Sequence, residues 1–290
     1  MTEHSYPNTQ LKKKGIFFFL MKARATKPGE TYGVPGQGET RLLSVASILA
    51  IIFIWWLCTT MGWVKPLFLP SPQAVLKKFF DVWNNGFTNT SFLEHVSVSA
   101  VRVFGAFLLA CLIGIPLGIA MGMSPFIRGI FDPPLEFYRP IPPLAYLPLM
   151  IIWFGIGETS KVLLIFLSVL APVALGARSG VKSAAIEQIH AAYSFGASRW
   201  QVMQQVILPS ALPEILTAMR IGIGFGWTTL VAAEMVAATK GLGYMVLTAS
   251  QFLQTSTVIM GIIVIAIIAY AFDLLMRFVE RKLVPWKGRM

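Results

Sequence analysis

Uncharged apolar runs alternate with short polar segments along most of this chain. Residues 42–64 contain no charged side chain, and about 20 apolar residues suffice for a helix to cross the hydrocarbon of a bilayer. Several such runs predict an all-α, polytopic membrane protein. We predict about six transmembrane helices, near residues 42–64, 97–123, 143–157, 162–177, 220–234 and 258–275.

Residues 65–96 follow a different pattern, typical of a helix lying on a surface. Ser71 and Pro72 form a helix-start signal, with the serine as cap and the proline in the first turn. The apolar positions that follow recur at helical spacing, opposite Lys77, Lys78 and Asp81. We interpret 65–96 as an external amphipathic segment.

Composition supports membrane insertion and argues against nucleic acid as a partner. Of 290 residues, 56% are hydrophobic and 13% charged, more apolar surface than one soluble core can bury. The net charge is +11, and the basic side chains concentrate in the tails and loops, as the positive-inside rule expects. We therefore predict a lipid bilayer around the chain and both termini in the cytoplasm.

The sequence offers no catalytic or metal-binding constellation. Cys58 and Cys111 stand alone within apolar runs, and the histidines are scattered at His4, His95 and His190. No phosphate-cradling GxxxxGK[ST] motif is present, so any nucleotide chemistry must come from another chain. We expect no catalytic residue, no metal and no cofactor on this chain.

A polar interruption at residues 184–209 predicts two short amphipathic helices that meet at a turn. Gly196 is placed to end the first, because glycine tolerates the left-handed conformation of many helix stops. Ser198 can cap the second, and Pro209 is expected to close it. Such a projecting helix pair predicts a docking element for a soluble partner. The alternative is an ordinary amphipathic hairpin on the membrane surface.

Small residues recur at every fourth position in the second predicted span. In lipid, a strip of this kind lets another helix approach closely. Pro116 lies in the same span and is expected to kink it. We predict a helix-packing strip at Ala106, Ala110, Gly114, Gly118 and Gly122.

Proline density between residues 133 and 148 predicts a broken helix, which at membrane depth usually lines a cavity or packs inside protein. Glu234, the one carboxylate noted inside a predicted span, is costly there and a functional candidate by default. It could instead reach the interface or pair with Lys240 or Arg139. The candidate pathway or gate residues are Pro143, Tyr146, Pro148, Trp153 and Glu234.

The interruption resembles the coupling loop of binding-protein-dependent ABC importer permeases. The match is Ala191-Ala192, three residues, Gly196, nine residues, Val206, one residue and Leu208-Pro209, with His190 where the family has Glu. Stretches at 138–161 and 224–234 resemble the sulfonate/nitrate branch of the family. By resemblance, the residues coupling to an ATPase are His190, Ala191, Ala192, Gly196, Ala197, Ser198, Arg199, Leu208 and Pro209.

The resemblance implies the permease subunit of an ATP-driven importer in a bacterial inner membrane. Expected partners are a second copy of the chain, two ATPase subunits that use ATP and Mg, and a periplasmic solute-binding protein. The expected substrate is taurine or a related small alkanesulfonate. Nitrate or another small anion is the alternative, and an ion-coupled secondary transporter is the alternative from another class.

These expectations divide the chain as follows: a cytoplasmic basic tail at 1–41, a first transmembrane helix at 42–64, the external amphipathic segment at 65–96, a permease core at 97–279 with its coupling loop at 183–210, and a cytoplasmic tail at 280–290.

Overall fold

A computed structural model describes residues 41–285 of the chain. The basic stretch predicted at 1–40 and the last five residues of the predicted C-terminal tail lie outside the described residues. The described residues form two compact units, the first ending at Pro72 and the second beginning at Gln73.

The first unit is built on helix α1, Arg41–Thr60. Most of its described side chains are apolar and exposed, as suits a helix whose surroundings are lipid. The helix ends four residues earlier than predicted, before a turn in which Gly62 has a φ of 71°. The indole Nε1 of Trp55 donates a hydrogen bond to the carbonyl of Pro70 at 3.0 Å, which fixes the chain that returns past the helix end.

The second unit contains the remaining helices. They are α2 Pro72–Asn85, α3 Phe92–Met123, α4 Pro125–Tyr138, α5 Pro143–Phe154, α6 Glu158–Lys182, α7 Ile186–Ser194, α8 Arg199–Val202, a π-helical turn Met203–Ile207, α9 Leu208–Ala237, α10 Leu242–Gln251 and α11 Thr255–Leu283. Helix α2 begins at Pro72, as its start signal predicts.

Five of the described helices are long and apolar enough to cross a membrane: α1, α3, α6, α11, and α9 together with α8 and the π turn. The predicted crossing at 143–157 is different. Helix α5 has 12 residues, which at about 1.5 Å per residue gives about 18 Å, short of the ~30 Å hydrocarbon core. It stops because Gly155 has a φ of 77°.

The long helices of the second unit begin earlier or end later than predicted, because their first and last turns contain polar residues that lie outside the apolar runs. Helix α3 begins at Phe92 rather than near 97, since the Ser91 hydroxyl accepts the backbone N–H of Glu94 at 3.2 Å. Residues 92–96 of the predicted external segment therefore belong to this span. Helix α11 likewise runs 29 residues, from Thr255 to Leu283.

The core lies where α3, α6 and α9 pack together, around Val103, Phe107, Ile165, Val169 and Trp227. The predicted small-residue strip of α3 is part of this contact. A methyl group on Gly118 would overlap the carbonyl oxygen of Ala174 on α6, and one on Gly122 would lie 2.5 Å from Cβ of Val181. Helix α3 continues through Pro116 as a single 32-residue element.

Candidate functional site

The polar interruption folds into a bent pair of short helices, residues 186–202, which we call the knuckle. Helix α7 ends at Ser194, and Gly196 follows with a φ of 82°. The backbone N–H of Gly196 donates to Tyr193 O at 2.9 Å. Ser198 then caps α8, its hydroxyl accepting the N–H of Gln201 while its own N–H donates to the Gln201 side chain at 2.8 Å. The helix stop at Gly196 and the cap at Ser198 are confirmed.

The knuckle carries large apolar side chains that the chain itself does not cover. None of the α7 residues is buried. Phe195 at the bend is 93% exposed, and Ile186, Tyr193 and Trp200 are also exposed. Val202 is the buried residue of α8 and anchors the knuckle to the rest of the unit. An apolar patch of this kind on a polar segment is typical of a surface that binds another molecule.

The predicted coupling residues fall on both sides of this bend. His190, Ala191, Gly196, Ser198 and Arg199 are exposed, and Ala192 and Ala197 are half-buried. Leu208 and Pro209 are half-buried and lie in the first turn of α9, beyond the knuckle.

Pro209 does not close the second helix, so that prediction was wrong. The chain passes from α8 through the π turn directly into α9, and the N–H of Leu208 bonds to Met203 O. Proline lacks a backbone N–H, and the wider π turn just before it rearranges the backbone bonds where that donor is missing. The consequence is a continuous helical rod from Arg199 to Ala237.

The candidate gate residues of α5 are not buried. Pro143 and Tyr146 are half-buried, while Pro148 and Trp153 are exposed. Tyr146 packs beside the buried cluster of Leu147, Met150, Leu164 and Ala233, and the Trp153 ring lies against that of Phe154. The outward side chains of α5 therefore form an apolar surface that can face lipid, a second chain or a pathway.

Glu234 belongs to a different arrangement. Its side chain is completely buried, and its carboxylate accepts hydrogen bonds from Ser99 Oγ at 2.8 Å, Arg102 Nη1 at 2.7 Å and the backbone N–H of Gly243 at 2.9 Å. The alternative in which Glu234 pairs with Lys240 or Arg139 was wrong: its cation is Arg102, and Lys240 pairs with Glu94. Buried carboxylates persist only when paired and hydrogen-bonded, and this one is both.

Arg102 connects three helices through its guanidinium. Besides Glu234 on α9, it contacts Glu158 at the start of α6 through two bonds of 2.6 and 2.7 Å. Its Nη1 also donates to the backbone carbonyl of Lys240 at 2.8 Å, and Lys161 completes the set by pairing with Glu158. We call this the polar cluster: His95, Ser99, Arg102, Glu158, Lys161 and Glu234.

His95 extends the polar cluster to the chain between α9 and α10. Its Nδ1 lies 3.1 Å from both the N and the O of Gly241, its Nε2 lies 3.3 Å from Phe87 O, and its ring stacks with that of Tyr244. Gly241 has a φ of 132° and ψ of 167°, a conformation that is essentially restricted to glycine. A Cβ there would also overlap the Glu234 carboxylate. The polar cluster thus fixes the loop between α9 and α10 relative to helices α3, α6 and α9.

Sequence reasoning missed most of this cluster. Arg102 lies inside the predicted span 97–123, so Glu234 is not the nearly isolated intramembrane charge that its sequence context suggested. The available signal was the spacing of His95, Ser99 and Arg102, which places all three on one helix face. Within residues 41–285, no three His, Cys, Asp or Glu side chains are grouped so that they could hold a metal ion.

Residues 114–285, which include the knuckle and helices α4 to α11, match the family model described as "Binding-protein-dependent transport system inner membrane component". The chain belongs to this family. It is a transmembrane permease of the ABC importer kind, in the sulfonate/nitrate branch, and a multi-pass inner-membrane protein.

Two relatives and one solved structure show how similar this chain is to known permeases and transporters. The chain is 54% identical over 249 residues to the "Taurine transport system permease protein TauC" of Escherichia coli (strain K12), covering 86% of this chain and 90% of that protein. It is 35% identical over 238 residues to the "Putative aliphatic sulfonates transport permease protein SsuC" of Bacillus subtilis (strain 168), covering 82% and 85%. An inward-facing structure of the MetNI methionine ABC transporter matches 66% of this chain and 95% of its own with a TM-score of 0.56 and 17% identity, a likeness of fold alone.

Proposed function

We propose that this chain forms the translocation pathway of an ATP-driven importer for taurine or a related small alkanesulfonate. The support for the substrate is the 54% identity to a permease named for taurine transport, over 90% of that protein's length. Nitrate is the substrate alternative, since the branch includes nitrate permeases. The chain itself hydrolyses no ATP in this proposal; ATP and Mg are used by a partner.

The observation that carries the proposed mechanism is the exposure of the knuckle. Phe195, Trp200 and Tyr193 are of the residue types that dominate the energetics of protein interfaces when a partner buries them. Burying apolar surface contributes about 25 cal/mol per Å². We therefore place the Phe195 ring at the centre of the proposed contact with a groove on a cytoplasmic ATPase.

The fold gives the knuckle a rigid connection to the spans. It lies between α6 and the rod that becomes α9, and these two helices pack at close range beside it. A methyl on Gly180 would lie 2.8 Å from the carbonyl oxygen of Ala211, and one on Gly176 would overlap the Ala218 side chain. Movement of the knuckle is then carried into α6 and α9 together, because neither helix can shift without the other.

The proposed assembly contains two copies of this chain, two ATPase subunits on the cytoplasmic side and a periplasmic solute-binding protein that delivers the substrate. In the proposed topology the short helix α5, with the chain that flanks it, makes the sixth crossing. Basic residues near both chain ends favour the cytoplasm for the termini, and with six crossings the knuckle lies on the same side. The exposed face of α5, with Pro148 and Trp153, is the proposed lining of the pathway. For Glu234 we propose a structural role, since its carboxylate is fully paired.

The test is uptake by proteoliposomes containing the complete complex. Phe195→Ser removes the exposed ring, and Gly196→Val disfavours the positive φ at the bend; both should lower uptake and binding-protein-stimulated ATP hydrolysis by roughly tenfold or more, equivalent to ~1.4 kcal/mol of lost coupling. Gly62→Val is the matched control for the second variant, because Gly62 is not a knuckle residue but has a similar φ and equally open surroundings. Normal uptake by both variants would refute the coupling role.

The substrate is tested in the same vesicles with one fixed binding protein. Taurine, longer alkanesulfonates and nitrate are compared in competition, and taurine or a close sulfonate should be transported in preference to nitrate. Vesicles that contain this chain alone and accumulate solute from an ion gradient, with no ATPase present, would favour the secondary-transporter alternative.

A further inference from the structure

A groove between α9 and α11 is a feature that the proposed function does not use. Its volume is about 540 Å³. Its walls are mainly apolar, formed by Ile223, Gly224, Trp227 and Thr228 from α9 and by Ile265 and Ala269 from α11. The Thr228 hydroxyl donates to the Phe225 carbonyl in its own helix at 2.9 Å, so it does not require a polar partner in the groove.

At Gly224 the groove reaches the backbone of α9, because glycine has no side chain. Its neighbours Gly222 and Gly226 are explained by packing, since a methyl on either would press against Val169 or Val173 of α6. A methyl on Gly224 would meet nothing within 4 Å. Glycine inside a helix costs roughly 0.5–1 kcal/mol relative to alanine, and no contact within the described residues accounts for it here. An occupant that approaches the α9 backbone closely would account for it.

A charged pocket of about 320 Å³ adjoins the groove at Arg220 and also includes Arg277, Glu280 and Arg281. Arg220 lines both spaces and pairs with Asp273 and Glu280, and Arg277 pairs with Asp273. Arg281 makes no ion pair with any residue of 41–285. Three guanidiniums thus face two carboxylates, which leaves one cation available for an anionic ligand.

The dimensions match one leaflet of a bilayer. From Arg220 to Val231 the α9 wall rises through eleven residues, or about 16 Å at ~1.5 Å per residue. This is roughly half of the ~30 Å hydrocarbon thickness, the depth to which one acyl chain reaches. An apolar groove that shares Arg220 with a cationic pocket fits an amphiphile with a negative headgroup. Basic pockets between transmembrane helices are known to bind such headgroups.

We propose that the groove between α9 and α11 binds a membrane phospholipid with an anionic headgroup, its acyl chain lying over Gly224 and its phosphate at Arg281. A small sulfonate does not fit this description, since most of the groove offers it no polar group in exchange for its hydration.

The experiment is native mass spectrometry of the purified, delipidated full chain, titrated with phosphatidylglycerol or phosphatidylcholine. The wild type should bind one phosphatidylglycerol per chain, roughly tenfold more tightly than phosphatidylcholine. Gly224→Leu should fill the groove and weaken binding of both lipids by about tenfold. Gly105→Leu is the matched control, because Gly105 is an exposed helical glycine with equally open surroundings on α3.

The headgroup contact is tested separately. Arg281→Gln should retain the lipid but lose most of the preference for phosphatidylglycerol, whereas Lys282→Gln, which removes an adjacent exposed charge outside the pocket, should keep that preference. Arg281 is exposed, so this comparison remains decisive if Gly224→Leu does not fold.

Two results would overturn the proposal. The first is wild-type binding that does not distinguish the two lipids, or that is the same in Gly224→Leu. The second is a disulfide between two copies of a Gly224→Cys variant in native membranes, with none for Gly105→Cys, which would assign the groove to a second copy of the chain.

Discussion

The polar cluster and the knuckle differ in burial and in where their side chains find partners. In the cluster, Arg102 and Glu234 are almost completely removed from solvent, and each finds its partners on other helices of the chain. In the knuckle, Phe195 and Trp200 remain in the open, and the ordering hydrogen bonds are local backbone and capping bonds. The cluster is complete within one chain, whereas the knuckle presents an apolar surface that another molecule can complete.

This contrast separates stability from function. Substitutions in the cluster leave buried charges without partners and should unfold the chain. Substitutions on the knuckle remove surface that the isolated chain does not use, so they should leave folding intact and affect the assembled complex. Measuring both properties for each variant tests whether the separation is real.

The largest expected effect is that of Arg102→Met. It leaves Glu234 buried without its cation, and breaking one partner of a buried pair typically costs about 3–5 kcal/mol. Denaturant unfolding of the detergent-purified chain measures the loss. The matched control is Lys78→Met, which breaks the exposed Lys78–Asp81 pair and should cost less than about 1 kcal/mol. Equal losses for the two variants would show that the polar cluster does not hold the helices together.

Gly241→Ala should cause the next largest loss of stability. The backbone conformation of Gly241 is strained for any other residue by about 1–3 kcal/mol, and the added methyl would also overlap the Glu234 carboxylate. Gly62→Ala adds a methyl at a milder positive φ of 71° with nothing within 4 Å, so it gives the baseline for a strained glycine without the overlap. The thermal midpoint should fall more for Gly241→Ala; the reverse order would mean that the loop relaxes away from the cluster.

Gly118→Ala tests the packing strip that supports both regions. Its methyl would overlap the Ala174 carbonyl, and overpacking of this kind costs about 1–3 kcal/mol. Gly105→Ala on the same helix points into open space and should instead raise the free energy of unfolding by roughly 0.5–1 kcal/mol. The two variants should change the free energy of unfolding in opposite directions in the same assay. A stabilised Gly118→Ala would show that the strip does not pack closely against α6.

The smallest effect on stability belongs to Phe195→Ser. Because the ring is exposed, the free energy of unfolding should change by no more than about 0.5 kcal/mol. A loss above that range, measured under the conditions used for Arg102→Met, would mean that the isolated chain already uses the knuckle for its own packing.

The parts of the fold that the sequence predicted are those set by local chemistry. The apolar runs located the long helices, and Gly196 and Ser198 located the bend, because capping depends on a few neighbouring residues. Helix ends were less accurate where polar first or last turns extend a helix beyond its apolar run, as at the N-terminus of α3, which Ser91 caps. The end of α5 was placed too late because Gly155, inside the predicted span, takes a positive φ.

Two errors concern interactions that a linear pattern does not contain. One alternative for Glu234 was a pairing with its sequence neighbour Lys240 or with Arg139, yet its partner Arg102 is 132 residues away. Pro209 was expected to end a helix, but the π turn before it lets the helix continue. The first depends on how distant segments pack, and the second on how the backbone accommodates the missing N–H donor of proline. The groove beside Gly224 was equally invisible, since the sequence does not show that Gly222 and Gly226 pack against α6 while Gly224 does not.

The most direct test of the docking role is the reactivity of a thiol at the bend. Phe195→Cys is labelled with a membrane-impermeant maleimide in inverted vesicles, once with this chain alone and once with the co-expressed ATPase. Lys282→Cys, which is exposed at the proposed cytoplasmic end of α11 and outside the knuckle, reports on general access. Our account predicts rapid labelling of position 195 in the chain alone and strong protection in the complex. Equal labelling with and without the ATPase, in preparations where the complex has formed, would contradict it.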